Sequence, residues 1–122
     1  MSTRLFIVDE YEPVRKALAE RLDQSASLSV VGHASVYEEA VEAISDLRPD
    51  IVLIEVKRKD GMGLELTRQI ASMPEAPHLV VLTSYQKSWE EQAAARAGAV
   101  TYLLKELDSQ ELIRKIEELA AR

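Results

Sequence analysis

Residues 51–56 have the sequence IVLIEV, and this stretch joins a buried strand to an acid. Ile51 to Ile54 are all apolar and do not alternate with polar residues, a pattern typical of a strand covered on both faces and therefore of a parallel sheet. Glu55 follows directly, before Val56 and the loop KRKDGMG of residues 57–63. A buried strand has little use for a carboxylate except at its exposed end. The stretch therefore predicts a central strand whose carboxyl end carries Glu55.

Four further apolar runs divide the rest of the chain. They are RLFIV (4–8), LSVVG (28–32), LVVLT (79–83) and VTYLL (100–104). Helical patterns follow each run, so that strand and helix alternate five times. Right-handed crossovers between parallel strands place helices on both faces of such a sheet. We predict an α/β fold, a doubly wound (βα)5 parallel sheet with the flavodoxin-like strand order 2-1-3-4-5, in one domain over residues 1–122.

Start signals mark the predicted helices. Pro13 suits the first position of a helix. Three pairs have the spacing of capping boxes: Ser35 with Glu38, Ser88 with Glu91, and Asp108 with Glu111. The side chains expected to face the sheet are Val14, Ala17, Leu18 and Leu22, then Ala40, Ala43, Ile44 and Leu47, then Leu66, Ile70 and Met73, and finally Leu112, Ile113, Ile116 and Leu119. Tyr85 and Trp89, near the start of the fourth helix, are expected to pack against the protein.

The composition is that of a globular protein and excludes several functions. The chain has 122 residues, of which 47% are hydrophobic and 30% charged, and it contains no cysteine. No apolar run approaches the roughly 20 residues of a membrane span, and no signal peptide precedes Arg4. We therefore expect a cytoplasmic protein that does not bind membranes. The net charge of −6 argues against nucleic-acid binding by this domain itself.

Polar residues close four of the predicted strands. Asp9 and Glu10 follow the first strand, Glu55 the third, Thr83 ends the fourth and Lys105 follows the fifth. The carboxyl ends of parallel strands lie at one edge of the sheet, so these side chains are expected to line one crevice. Crowded carboxylates repel one another and favour a hard cation such as Mg²⁺. A lysine and a hydroxyl opposite that cation would hold the oxygens of a phosphoryl group.

With these residues at these strand ends, in this order, the chain resembles the receiver domain of two-component response regulators. PDIVLIEV (49–56) resembles the family's run into its phosphoacceptor, and Gly63 with LEL resembles the start of its third helix. VVGHAS (30–35) and YLLKELDSQEL (102–112) resemble the branch that is joined to a helix-turn-helix output domain. The resemblance implies the same fold and a role in signal transduction rather than catalysis.

The resemblance also implies a role for each site residue. Asp9, Glu10 and the backbone carbonyl of Lys57 would hold Mg²⁺, and Glu55 occupies the phosphoacceptor position. Thr83 and Lys105 would be its partners, and Tyr102 the switch aromatic. The fourth helix, fifth strand and fifth helix would form the surface for protein partners, a histidine kinase or an output domain. A homodimer is left open.

The main departure from the family pattern is Glu55, which replaces the phosphoacceptor Asp. Lys59 and Glu106 also stand where the family often has proline. One extra methylene pushes the carboxylate oxygen deeper into the crevice and out of line for attack on phosphorus. An ionised Glu carries one negative charge, against about −1.5 to −2 for a phosphoryl group. We therefore interpret Glu55 as a partial phosphoryl mimic in a phosphorylation-independent or constitutively biased receiver, with weak or absent Mg²⁺ binding.

Alternatives follow from the same residues. The basic run of residues 57–59 is either a solvated loop or the source of a cation that folds over the acids and replaces the metal. The domain could be an ordinary phosphorylatable receiver with an engineered Asp-to-Glu change at Glu55. It could also be a metal-dependent phosphotransfer enzyme that uses Asp9, Glu10 and Lys105. A decayed site is the remaining explanation for Glu55.

Overall fold

The computed structural model describes residues 2–84, 87–99 and 101–121, in which five strands alternate with five helices. The strands are β1 (Thr3–Val8), β2 (Leu28–Ala34), β3 (Ile51–Ile54), β4 (His78–Thr83) and β5 (Thr101–Leu104). The helices are α1 (Glu12–Leu22), α2 (Tyr37–Leu47), α3 (Gly63–Ala71), α4 (Ser88–Ala97) and α5 (Ser109–Ala120). Val100, the predicted first residue of the fifth strand, and Tyr85 lie outside the described residues.

The strands form one parallel sheet in the order β2-β1-β3-β4-β5, which confirms the predicted fold. β3 lies at the centre between β1 and β4, and its four residues are all buried. The stretch at residues 51–54 is therefore covered on both faces, as its apolar run indicates. The pairing of β1 with β2 shifts by one residue after Leu5, where Phe6 pairs with Gly32.

Two hydrophobic cores lie on opposite faces of the sheet. Alternate strand residues such as Leu5 and Leu53 pack with α1 and α5, whose contributions include Leu18 and Ile116. The intervening strand residues, such as Phe6 and Ile54, pack with residues of α2, α3 and α4. The period-two alternation of side chains along each strand thus divides one apolar run between two cores. Because each strand packs on both faces, the sheet is a fixed frame for the residues at the ends of its strands.

Two glycines shape the loop that leads from β3 to α3. Gly61 has a φ of 71°, in the left-handed region that glycine enters without steric cost. A Cβ at Gly63 would lie 1.8 Å from the carbonyl oxygen of Val56. Only glycine therefore lets the first turn of α3 close against the backbone that follows Glu55.

Two of the three predicted capping boxes are wrong. α2 follows Val36 and α4 follows Lys87, and in neither case does a side chain cap the first turn. Asp108 does cap α5, because its Oδ1 accepts the N–H of Glu111 at 2.9 Å. Ser88 is the first residue of α4, so its spacing to Glu91 is one residue out of register for a cap.

Some of the predicted inward side chains also differ from the structure. Ala17 is exposed, and Arg15 is the buried residue that joins Leu18 and Leu22 on the inner face of α1. Met73 packs against the core but lies beyond the end of α3. Trp89, expected to pack, is 62% exposed on α4. Among the described residues, no helix is both long and apolar enough to cross a membrane.

Candidate functional site

The backbone ladder of the sheet continues for one residue beyond three of its strands. The N–H of Asp9 donates to the Ala34 carbonyl at 3.2 Å, and that of Glu55 to the Val8 carbonyl at 3.0 Å. At the opposite side, the N–H of Lys105 donates to the Thr83 carbonyl at 2.8 Å. Each charged residue is therefore anchored at the edge of the sheet before its side chain makes any contact. The side chains of these strand-end residues extend from one edge, as their positions in the sequence predict.

Lys105 is the cation that joins the acids. Its Nζ lies 2.6 Å from Oδ2 of Asp9 and 3.1 Å from Oε1 of Glu55. Asp9 and Glu55 are only 2% and 9% exposed. Charge-assisted contacts between such desolvated groups are stronger than those of surface pairs, and removal of one partner leaves the other buried and uncompensated. The ends of β1 and β3 are thereby joined to the end of β5.

The environment of Lys105 determines its protonation. Burial alone would lower its pKa, but the hydrogen bond to Asp9 and the negative charges of Glu55 and Asp9 outweigh burial and raise the pKa above its ordinary value. The ammonium form is therefore the resident form at neutral pH. Two carboxylates and one ammonium leave the cluster with one net negative charge.

Backbone N–H groups hold the remaining oxygens of the acids. Tyr11 donates its N–H to Oδ1 of Asp9 at 3.0 Å, and Lys57 donates its N–H to Oε2 of Glu55 at 3.2 Å. Glu10 turns away from both, since its Oε1 accepts the N–H of Lys59 at 2.7 Å. Both oxygens of Glu55 thus already have donors.

The acids make contacts that a divalent metal would have to displace. Within residues 2–84, 87–99 and 101–121, no three His, Cys, Asp or Glu side chains are grouped so that they could hold a metal ion. Asp9 contacts an ammonium, which repels a second cation, and Glu10 is bound to the backbone of the β3–α3 loop. Lys57, predicted to ligate through its carbonyl, contributes its N–H to Glu55. Two of the ligands implied by the family resemblance, Asp9 and Glu10, therefore contact other groups of the protein.

Within the basic loop 57–59, neither Arg58 nor Lys59 supplies the bridging cation. The Arg58 side chain is 2% exposed and binds Asp60, with its Nη2 2.9 Å from Oδ2. The ammonium of Lys59 lies 5.8 Å from the centre of the Tyr11 ring. The cation between the acids comes instead from Lys105, so the interpretation in which this loop replaces the metal is wrong for Arg58 and Lys59.

Thr83 on β4 and Tyr102 on β5 complete the predicted set. Thr83 is fully buried at the end of β4. Tyr102, on β5, is half-buried, and its Oη donates to Oε1 of Glu90 at 2.5 Å. Burial, together with the hydrogen bond to Glu90, raises the pKa of the Tyr102 hydroxyl well above its usual range.

Glu90 was not predicted, although it is only 3% exposed. It lies in the first turn of α4 beside a second acid, Glu91, where an acid would ordinarily be solvated. Nothing in the local sequence distinguishes the two, because the partner of Glu90 is twelve residues away on β5. The pairing fixes the aromatic ring of Tyr102 to α4.

Two arginines of α1 were also missed. Arg15 is buried, and its Nη1 donates to the carbonyl oxygen of Asp9 at 2.8 Å. Arg21 donates to the loop that follows β5. The sequence does hold a signal for Arg15, since it precedes Leu18 and Leu22 by three and seven residues and so shares their face.

The sheet order and these strand-end residues together define a receiver module, the phosphoacceptor-bearing unit of two-component signalling. The chain belongs to the response regulator receiver domain family, whose model matches residues 5–117. This places the domain in signal transduction and confirms the general part of the family resemblance. The match does not test whether Glu55 occupies the phosphoacceptor position.

The relatives include transcriptional regulators. The chain is 34% identical over 118 residues to the DNA-binding transcriptional activator DevR/DosR of Mycobacterium tuberculosis, covering 97% of this chain and 54% of that protein. It is 34% identical over 102 residues to the transcriptional regulatory protein LiaR of Bacillus subtilis, covering 84% of this chain and 48% of that protein. The chain thus spans about half the length of these curated relatives.

A solved structure agrees with this placement. The crystal structure of a LuxR-family two-component response regulator from Aurantimonas sp. SI85-9A1 superimposes with a TM-score of 0.90 at 29% identity, covering 99% of this chain and 86% of that chain. The two curated relatives and this structure are named as response regulators or transcriptional regulators. None of these three names describes a phosphotransfer enzyme.

Proposed function

We propose that this domain is an atypical receiver that signals through protein contacts without being phosphorylated, with Glu55 as a fixed, partial mimic of the phosphoryl group. The observation that carries the proposal is the contact between Glu55 and Lys105. A lysine at this position is expected to contact an oxygen of the phosphoryl group. Here Oε1 of Glu55 is already 3.1 Å from its ammonium nitrogen.

The same geometry argues against Glu55 as a nucleophile. Attack on phosphorus needs a carboxylate oxygen with a free lone pair directed along the axis of the leaving group. Oε1 contacts Lys105 and Oε2 accepts the N–H of Lys57. Each oxygen keeps a second lone-pair site, but its existing contact and the 9% exposure of the side chain restrict the directions from which a phosphodonor can approach. The side chain is therefore better placed to contact a cation than to attack phosphorus.

We also propose that Mg²⁺ binding is weak or absent. The acids that would hold it contact Lys105 and the backbone of Lys59 instead. In a receiver that carries a phosphoryl group, a divalent cation would compensate the added negative charge. A glutamate adds only one negative charge, and the Lys105 ammonium lies 3.1 Å from it.

The proposed output surface consists of α4, β5 and α5. Trp89 is a large exposed side chain on α4, and exposed aromatic residues are enriched at protein interfaces. Tyr102 lies on β5 and is fixed to α4 through Glu90. We propose that a histidine kinase, an output domain or a second copy of the chain binds this surface. Since a close relative is a DNA-binding activator and this domain is acidic, we assign DNA contact to an output partner.

The proposal is tested by removing the charge of Glu55. Glu55→Gln keeps the shape of the side chain and its acceptor oxygen, while Glu42→Gln, at an exposed site on α2, is the matched control. In ¹H–¹⁵N spectra we expect Glu55→Gln to shift the amides of α4 and β5 as well as those next to residue 55. The control should shift only its neighbours. Changes confined to the vicinity of residue 55 would count against a mimic that acts on the output surface.

A further inference from the structure

The loop that carries Lys105 is attached to α1 by one side chain. Arg21, in the last turn of α1, donates from Nη1 to the carbonyl oxygen of Lys105 at 3.3 Å. Its Nη2 donates to the carbonyl oxygen of Leu107, and its Nε donates to Oγ of Ser109 at 3.1 Å. These acceptors extend from the first residue after β5 to the first residue of α5. One guanidinium therefore spans the whole connection.

The three contacts depend on the shape of the guanidinium. Its donors form a rigid planar fork, so all three acceptors are held in one fixed relation to α1. An ammonium at the same position would keep the charge but not the fork. Arg21 is partly buried and has no ion pair with an acid in the described part of the chain. Its function in the structure is therefore geometric rather than a matter of charge pairing.

The backbone of Lys105 is fixed from both sides as a result. Its N–H donates to the Thr83 carbonyl at 2.8 Å, and its own carbonyl oxygen accepts from Arg21. Four side-chain torsions separate this backbone from the Nζ that reaches both acids. Because the stem is flexible, a fixed backbone limits the positions that Nζ can reach and favours those near both acids.

The other end of α1 holds the partner of Lys105. Arg15 donates from Nη1 to the Asp9 carbonyl at 2.8 Å and from Nε to Nδ1 of His33 at 3.0 Å. α1 thus fixes the main chain of both members of the 2.6 Å pair between Asp9 and Lys105.

We infer that Arg21 is a positioning residue of the candidate site: by holding the loop of residues 105–109 against α1, it sets the distance of the Lys105 ammonium from Asp9 and Glu55. The inference rests on the proposed function only in treating Lys105 as a functional residue. It holds whether Glu55 acts as a mimic or belongs to a decayed site.

The experiment compares Arg21→Lys and Arg21→Ala with the wild type, and uses Arg114→Lys as the matched control. Arg114 also carries a guanidinium, but it is exposed on α5 and contacts Glu111 and Glu118. The measurements are the side-chain ¹³Cε and ¹⁵Nζ signals of Lys105 through a pH titration, and amide hydrogen exchange at Lys105 and Leu107. Exchange at Leu66 and Ile70, in α3 on the other face of the sheet, reports overall stability.

Both Arg21 variants should change the Lys105 signals and lower its pKa towards the ordinary lysine value. Amide exchange at Lys105 and Leu107 should become faster by about fivefold, the factor expected when one hydrogen bond is lost. Arg21→Lys should resemble Arg21→Ala, because the fork and not the charge is required. Arg114→Lys should leave every Lys105 signal unchanged.

A structural role alone would give a different result. If exchange at Leu66 and Ile70 increases as much as at Lys105 while the Lys105 side-chain signals and pKa stay as in the wild type, the inference is overturned. Should Arg21→Ala not fold, Arg21→Lys together with Ser109→Ala, which removes one acceptor of the fork, decides the question. Phosphorylation of Glu55 would contradict the proposed function but would leave this result unaffected.

Discussion

The ammonium nitrogen of Lys105 lies 3.1 Å from Oε1 of Glu55, and the same nitrogen lies 2.6 Å from Oδ2 of Asp9. The lysine after β5 is therefore bound to the ends of β1 and β3 at once. In the proposed function, Glu55 supplies at this point the negative charge that a phosphoryl group would bring.

Removing the charge of Glu55 should destabilise the domain. In Glu55→Gln the amide oxygen still accepts from Lys57, but the ionic part of the contact with Lys105 is lost. We expect a loss of about 1–2 kcal/mol in the free energy of unfolding, more than the roughly 0–1 kcal/mol of an exposed pair. Urea unfolding at pH 7 measures it. Glu118→Gln, which removes the charge of an exposed partner of Arg114, should leave the urea midpoint unchanged. Equal effects of the two variants would show that the Glu55 contact has no special strength.

The contribution of Lys105 should depend on pH in the alkaline range. Since the pKa of Lys105 is raised in the folded state, its stabilising effect is fully present below the ordinary lysine pKa of about 10.4 and is lost as pH rises through the folded-state pKa. The stability difference between wild type and Lys105→Met should therefore be constant from pH 7 to 9 and shrink at higher pH. Tyr102 and other groups titrate in both proteins and cancel in the difference. A difference that grows with pH would contradict the assigned ion pairs.

Mg²⁺ should not saturate the wild-type site at sub-millimolar concentration. Lys105 already contacts Asp9 and Glu55, so its ammonium repels a second cation, and Glu10 is bound to the loop backbone. Titration followed by Trp89 fluorescence and by amide shifts near Asp9 measures the affinity. In Lys105→Met the two carboxylates lose their cation, so Mg²⁺ should bind more tightly than in the wild type. Saturable sub-millimolar binding by the wild type would show that the acids rearrange around the metal at little cost.

Loss of the Tyr102 hydroxyl should loosen α4. Tyr102→Phe removes the donor to Glu90, whose carboxylate is 3% exposed, and should cost about 1–3 kcal/mol. Glu90→Gln keeps an acceptor for Tyr102 and should cost less. In Tyr102→Phe, the rate of amide exchange should increase more in α4 than in α3. If Tyr102→Ala left every measurement of self-association and partner binding unchanged, the output surface would have to lie elsewhere.

The fold could be predicted from the sequence because it depends on local patterns. Apolar runs without alternation identified the central strand at Ile51–Ile54, and side-chain alternation then divides them between two cores. Capping was predicted less well, since Ser35 and Ser88 have the right spacing but the wrong register. The residue at which a helix begins also depends on the path of the preceding loop, and residue spacing alone does not predict that path.

The composition of the candidate site could be predicted, but not its internal contacts. Strand ends of a parallel sheet must share an edge, so Asp9, Glu55, Thr83 and Lys105 could be grouped from order alone. Lys105, and not Arg58 or Lys59, contacts both acids, and its contact with Asp9 joins residues 96 positions apart in the sequence. Arg21 contacts residues 84 to 88 positions later, and no local pattern encodes such a pairing.

The most direct test of a phosphorylation-independent receiver is intact-mass analysis after treatment with a small phosphodonor and Mg²⁺, for the wild type and Glu55→Asp. The shorter acid of Glu55→Asp withdraws from Lys105 and regains a position in line with an incoming phosphorus, provided that Asp9 and Glu10 can then hold Mg²⁺. We predict no adduct on the wild type and a phosphoryl adduct on Glu55→Asp. No adduct on either protein would favour a decayed site over mimicry. A phosphoryl adduct on Glu55 of the wild type would contradict the account.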